Sequence, residues 1–211
     1  EWKGEAKQAL YDRVLVSVGR VPNSYDIGLD NTKVTQDDKG FVIVDTEQRT
    51  LDSHISAIGD IAGGVLLAHK ASREAKIAVE SLYGPVNRGA ATIPAVVFTD
   101  PEVSWCGLTE EEAKEQGIKV EVAKFPWGAS GRALTLDRTD GLTKLIVEPV
   151  TERILGVGIV GVGAGDLISE AVLAVDCGLT VQDLADTVHP HPTLAETVME
   201  AAEVFYGHSA H

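Results

Sequence analysis

Hydrophobic and polar positions follow two rhythms along this chain. Up to Gly84 the apolar positions come as short runs set off by turn residues. Residues 13–18 (Arg-Val-Leu-Val-Ser-Val) predict a strand ending at Gly19. Residues 40–45 predict a second strand after an Asp-Asp-Lys-Gly turn, and residues 55–58 a third that ends at Gly59-Asp60. Ala71, Ala75, Ala78, Val79 and Leu82 recur at helical spacing and predict a helix over residues 68–83, stopped by Gly84. Residues 85–92, opened by Pro85, are small and polar and mark a domain boundary.

The second rhythm has longer elements. Residues 96–98 predict a strand interrupted by Asp100-Pro101, and Cys106 lies in a further strand-like run. Thr109 and Glu112 form a capping-box pattern that opens a short helix ending at Gly117. Residues 119–125 alternate like an exposed strand, and residues 143–148 and 153–160 predict two strands joined near Pro149. Leu167, Ile168, Ala171, Val172 and Val175 predict a helix over about 165–176 with Gly178 at its end. A short helix over 180–186 and a last one from Thr193 to Phe205 follow. Antiparallel strands followed by helices imply an α+β layer. Gly158, Gly161 and Gly163 sit between a strand and a helix without the spacing of a dinucleotide fingerprint, so they predict an ordinary loop.

Composition narrows the function classes. With 211 residues and 44% hydrophobic positions, the chain suits one large domain or two smaller ones. A formal charge of −14 repels phosphate backbones and argues against nucleic acid as a partner. The acidic excess reads as ordinary solubility or as adaptation to high salt. No apolar run approaches the ~20 residues of a membrane helix, and Glu1-Trp2-Lys3-Gly4 is not a signal-peptide start, so no membrane and a cytoplasmic location are expected. Cys106 and Cys177 fit neither a C-x-x-C nor a zinc pattern, so no metal site is expected and both read as small buried hydrophobes.

Two clusters carry chemistry. Asp60 stands at the end of a predicted strand, before Gly63-Gly64 and a helix start at Leu66-Leu67-Ala68-His69. A strand-end carboxylate beside unpaired helix N–H groups suits a polar cofactor, and Asp is equally a turn residue. His189-Pro-His191-Pro-Thr193-Leu-Ala-Glu196 is the second cluster. A histidine oriented by a carboxylate suits general-base work near neutrality. Thr193 and Glu196 also form a capping-box pattern, which predicts Glu196 on the Thr193 N–H and His191 turned away.

Residues 57–64 with Leu66-Leu-Ala-His-Lys70 resemble the second flavin-binding motif of the pyridine nucleotide-disulfide oxidoreductases, and residues 16–23 resemble the close of that family's NAD-binding domain. The His-Pro-Thr-Leu-x-Glu segment, residues 125–134 and residues 139–145 resemble the dihydrolipoamide dehydrogenase branch. So do residues 94–107 and 159–170.

The resemblance implies an antiparallel-sheet interface domain (89–211) preceded by the C-terminal segment of an FAD-binding domain (20–88) and the end of an NAD-binding domain (1–19). It implies FAD and NAD as cofactors. Asp60 would meet a ribityl hydroxyl, Leu66, Leu67, Ala68 and His69 would lie against the flavin, and Gly19 would lie near the nicotinamide nucleotide. His191 would be the base that takes a thiol proton from dihydrolipoamide and Glu196 its partner, while His189 has no catalytic role. A homodimer is implied, with the pair serving the disulfide of the other subunit, and so are a lipoyl domain and a 2-oxoacid dehydrogenase complex as partners. A cis bond at His191-Pro192 and a His191–Glu196 contact are expected with it.

Ala75 departs from the family's usual Gly. The Gly-rich turns for FAD and NAD and the C-x4-C redox pair are not in these 211 residues, which alone should not catalyse the reaction. The competing readings are a sibling reductase acting on glutathione-like disulfides or mercuric ion, and a non-catalytic dimerisation module.

Overall fold

The computed structural model describes residues 8–86 and 91–208, and the chain divides into two units, Glu1–Val86 and Asn87–His211. The expected boundary at 85–92 and the expected NAD-side segment 1–19 therefore lie partly outside the described residues.

Among the described residues of the first unit one regular helix forms, α1 (Ala68–Ser81), ending two residues short of expectation. The three expected strands do not form. Residues 13–18 are irregular, and Val14, Val16 and Val18 are 79%, 74% and 92% exposed. The other two are reduced to single bridges, Gln36 with Val42 and Arg49 with Ser56. A strand needs a lateral partner for its backbone groups, and the described residues offer these segments none of useful length. Gly59–Ala62 instead makes one turn of 3-10 helix.

The second unit is built on a five-stranded antiparallel sheet. Its strands are β1 (Ala95–Val97), β2 (Glu102–Gly107), β3 (Glu121–Pro126), β4 (Leu142–Val147) and β5 (Ile154–Gly161), in the order β1-β2-β5-β4-β3. Its helices are α2 (Glu110–Glu115), α3 (Gly131–Thr135), α4 (Ala164–Cys177), α5 (Val181–Ala185) and α6 (Glu196–Phe205). Thr109 caps α2 with the expected reciprocal box. The short α3, capped by Ser130, was not expected.

Directly opposed residues of neighbouring strands share a face. The register therefore makes two rows, Phe125-Thr143-Ile159-Ser104 and Ala123-Leu145-Val157-Cys106. Every member is buried. Helix α4 packs on β2 and β5, and α6 on β3 and β4. The Ser104 hydroxyl donates to the Ala164 carbonyl at the start of α4 (2.7 Å). Complete burial of an apolar side chain such as Leu145 contributes about 1.5–3 kcal/mol.

Trp127, fully buried, sits against two glycines. A Cβ at Gly141 or at Gly161 would lie 2.2 Å from its ring, so both positions must stay bare. This corrects the loop expected at 158–163: Gly158 and Gly161 belong to β5, and Gly163 is the left-handed residue before α4. The expectation for the cysteines is half right. Cys106 is buried, and burial pushes its thiol up to about 12. Cys177, the last residue of α4, is exposed. No helix among the described residues is long and apolar enough to cross a membrane.

Candidate active site

The segment joining α5 to α6 carries the histidines. His191-Pro192 is cis, as expected, and so is Asp100-Pro101, which was not. His191 Nδ1 lies 2.8 Å from Glu196 Oε1. The other carboxylate oxygen, Oε2, accepts the Thr193 N–H at 2.7 Å. Glu196 thus meets the Thr193 N–H as the capping pattern predicts, but His191 is not turned away as that pattern also predicts; it takes the other oxygen.

The capping box itself is only half built. The Thr193 hydroxyl donates to the Pro190 carbonyl (2.8 Å), and α6 starts at Glu196 rather than at Thr193. Glu196 occupies the first turn of α6, where unpaired N–H groups favour a negative charge. Burial raises its carboxyl, but the Thr193 N–H, the His191 hydrogen bond and the charges of His191 and His189 outweigh burial. They hold the carboxyl below its ordinary 4.5.

The ring of His191 is 71% exposed, whereas Glu196 is 18% exposed. With Nδ1–H donated to the carboxylate, Nε2 keeps its lone pair and faces outward, the arrangement of an oriented general base. A small cleft beside it is lined by Phe125, Ser130 and Gly131 and by His191, Glu196, Thr197 and Glu200.

Behind the pair runs a buried relay the sequence did not reveal. Trp127 Nε1–H donates to the Thr143 hydroxyl (3.0 Å), Thr143 to the Thr197 hydroxyl (2.8 Å), and Thr197 to the Leu194 carbonyl (2.8 Å). It ties the start of α6 to β4 and to the loop after β3. His189 also has partners the sequence did not reveal. Nε2 lies 2.8 Å from Glu170 Oε1 on α4, and Nδ1 lies 2.8 Å from the Thr187 carbonyl.

The candidate cofactor residues belong to the first unit. Asp60 pairs with Arg20 Nη1 at 3.6 Å and is 52% exposed. Arg20 also donates to the Leu66 carbonyl (3.3 Å), which draws Asp60 and the 66–67 segment together. Helix α1 begins at Ala68 behind Leu67, and no side chain caps it. The Gly59 N–H donates to Glu74 (2.7 Å), and Lys70, paired with Glu74 (2.7 Å), donates to the Gly59 carbonyl (3.3 Å). Residues of α1 therefore brace the Asp60 turn, a role spacing alone did not assign. Gly19 is exposed, and a Cβ there would meet nothing within 4 Å.

Comparison with known proteins fits this arrangement. Residues 93–202 match the pyridine nucleotide-disulphide oxidoreductase dimerisation domain, and residues 3–75 match the pyridine nucleotide-disulphide oxidoreductase domain. The chain belongs to the pyridine nucleotide-disulphide oxidoreductase family. It is 48% identical to a dihydrolipoyl dehydrogenase of Vibrio parahaemolyticus over 97% of this chain and 43% of that one. It is also 48% identical to one of Bacillus subtilis over 100% of this chain and 45% of that one. The chain thus spans less than half the length of these relatives. Among solved structures it resembles LpdA of Mycobacterium tuberculosis (TM-score 0.83, 28% identity, 90% of this chain and 42% of that one). It also resembles the HOCl-induced flavoprotein disulfide reductase RclA of Escherichia coli (TM-score 0.79, 30% identity, 85% and 42%).

Proposed function

We propose that this chain is the C-terminal portion of a dihydrolipoyl dehydrogenase that oxidises dihydrolipoamide with NAD as acceptor. The observation that carries this is the 2.8 Å contact of His191 Nδ1 with Glu196, which leaves Nε2 open. His191 Nε2 takes the proton of a dihydrolipoamide thiol, and the resulting thiolate attacks a disulfide outside these residues. Glu196 holds the tautomer and stabilises the cation that forms.

The Asp60 turn fits the sugar-alcohol chain of FAD. Its carboxylate is half exposed, and the start of α1 has no side-chain cap. Asp60 would accept ribityl hydroxyls, the 66–69 backbone would lie along the ring, and Gly19 would leave room for the nicotinamide nucleotide. When bound, the flavin supplies an acceptor for the electron pair.

Residues 1–19 and 20–88 are the ends of the NAD- and FAD-binding domains, and residues 89–211 form the interface domain of a cytoplasmic homodimer. A lipoyl domain of a 2-oxoacid dehydrogenase complex delivers the dithiol. RclA, a flavoprotein disulfide reductase of similar fold, favours a second reading as a sibling reductase. Steady-state assays of the full-length enzyme decide between them. Dihydrolipoamide with NAD should be turned over far faster than glutathione disulfide or mercuric ion is reduced, and the reverse order would refute the assignment.

A further inference from the structure

His189 and His191 are two residues apart, yet their rings are placed for opposite tasks. The His189 side chain is 5% exposed, against 71% for His191. A carbonyl oxygen only accepts, so His189 Nδ1 carries a hydrogen and donates it to Thr187. Nε2 faces a Glu170 carboxylate oxygen at 2.8 Å, and that contact requires a proton between them, on the ring or on the carboxylate. Neither nitrogen is left open, so His189 cannot serve as a second base.

Its anchor is firm. Glu170 lies in α4, whose Ile168, Ala171 and Ala174 are buried against the sheet. From His189 the chain reaches His191 through Pro190 and leaves it through Pro192, both with φ fixed by their rings. Few torsions separate the two imidazoles, so fixing one restricts the other. Glu196 on α6, which packs on β3 and β4, holds His191 from the opposite side.

We propose that Glu170 and His189 form a positioning pair. Through it, α4 sets the direction of the His191 ring, so that Nδ1 meets Glu196 and Nε2 is presented to the thiol. This rests on the reading of His191 as the base in dithiol oxidation.

The test compares His189→Leu, Glu170→Leu, the double variant and Glu170→Gln in the full-length holoenzyme. Each leucine variant should lower kcat for dihydrolipoamide oxidation by roughly 10- to 100-fold, as misplacement of a catalytic group does. KM should change little, and NADH-driven reduction of an artificial dye should stay at the wild-type rate. The double variant should be no worse than either single one, and Glu170→Gln, whose amide can still hydrogen-bond His189 Nε2 in either direction, should retain most of the activity.

A wild-type kcat in the leucine variants, additive losses, or an equal fall in dye reduction would overturn the proposal. If the leucine variants fail to fold, His189→Gln decides: a kcat loss with intact dye reduction supports the pair, and a wild-type kcat overturns it. A wild-type enzyme that does not oxidise dihydrolipoamide overturns the functional reading and this proposal together. An active wild type whose His191→Ala variant is impaired while the His189 variants are not overturns this proposal alone.

Discussion

Glu196 uses both carboxylate oxygens, Oε1 toward His191 and Oε2 toward the Thr193 N–H. One residue therefore fixes the base and closes the turn before α6. Its carboxyl is held below the ordinary 4.5, so the folded state binds its proton less readily than the unfolded chain does. That contribution to stability is fully present above the unfolded value and is lost as pH falls through the depressed folded value. The difference in melting temperature between wild type and Glu196→Gln should therefore shrink as pH drops below 4.5, and a difference constant across that window would contradict the assignment. This pair was legible in the sequence because both members sit in one short motif. Glu170 was not, because 19 positions and a whole helix separate it from His189, and no local period links them.

The relay of Trp127, Thr143 and Thr197 joins β4 to α6 through three fully buried side chains. Thr143→Val keeps the shape but leaves the Trp127 N–H without its acceptor. A buried donor without a partner costs about 1–3 kcal/mol, so Thr143→Val should be less stable than wild type by that margin and melt at a lower temperature, and Thr143→Ser should recover most of the loss. Equal melting of Thr143→Val and wild type would show that the relay contributes nothing to stability. The elements around it were readable because their patterns are local: α4, α5, β4 and β5 form within a residue or two of their predicted bounds. The expected strands at 13–18, 40–45 and 55–58 have strand-like sequences too. Their pairing depends on neighbours that the described residues do not supply, which no local pattern reports.

At the scale of the molecule, apolar side chains remain open. Leu173 on α4 is 60% exposed, and Val188, beside His189, is 94% exposed. In the first unit Leu10, Leu15 and Val18 are at least 89% exposed. A partner subunit over α4 and further chain over the first unit would cover them. Sedimentation of the full-length enzyme at micromolar concentration should give a dimer, with an interface above the ~1,000 Å² of biological contacts, and a monomer would contradict this. The central claim is that His191 is the base of dithiol oxidation. Its most direct test is rapid mixing of oxidised full-length enzyme with dihydrolipoamide at neutral pH, following flavin reduction. His191→Ala should slow that step by the ~10²–10⁴-fold typical of general acid–base catalysis, with Glu196→Gln in between. Flavin reduction at the wild-type rate in His191→Ala would contradict it.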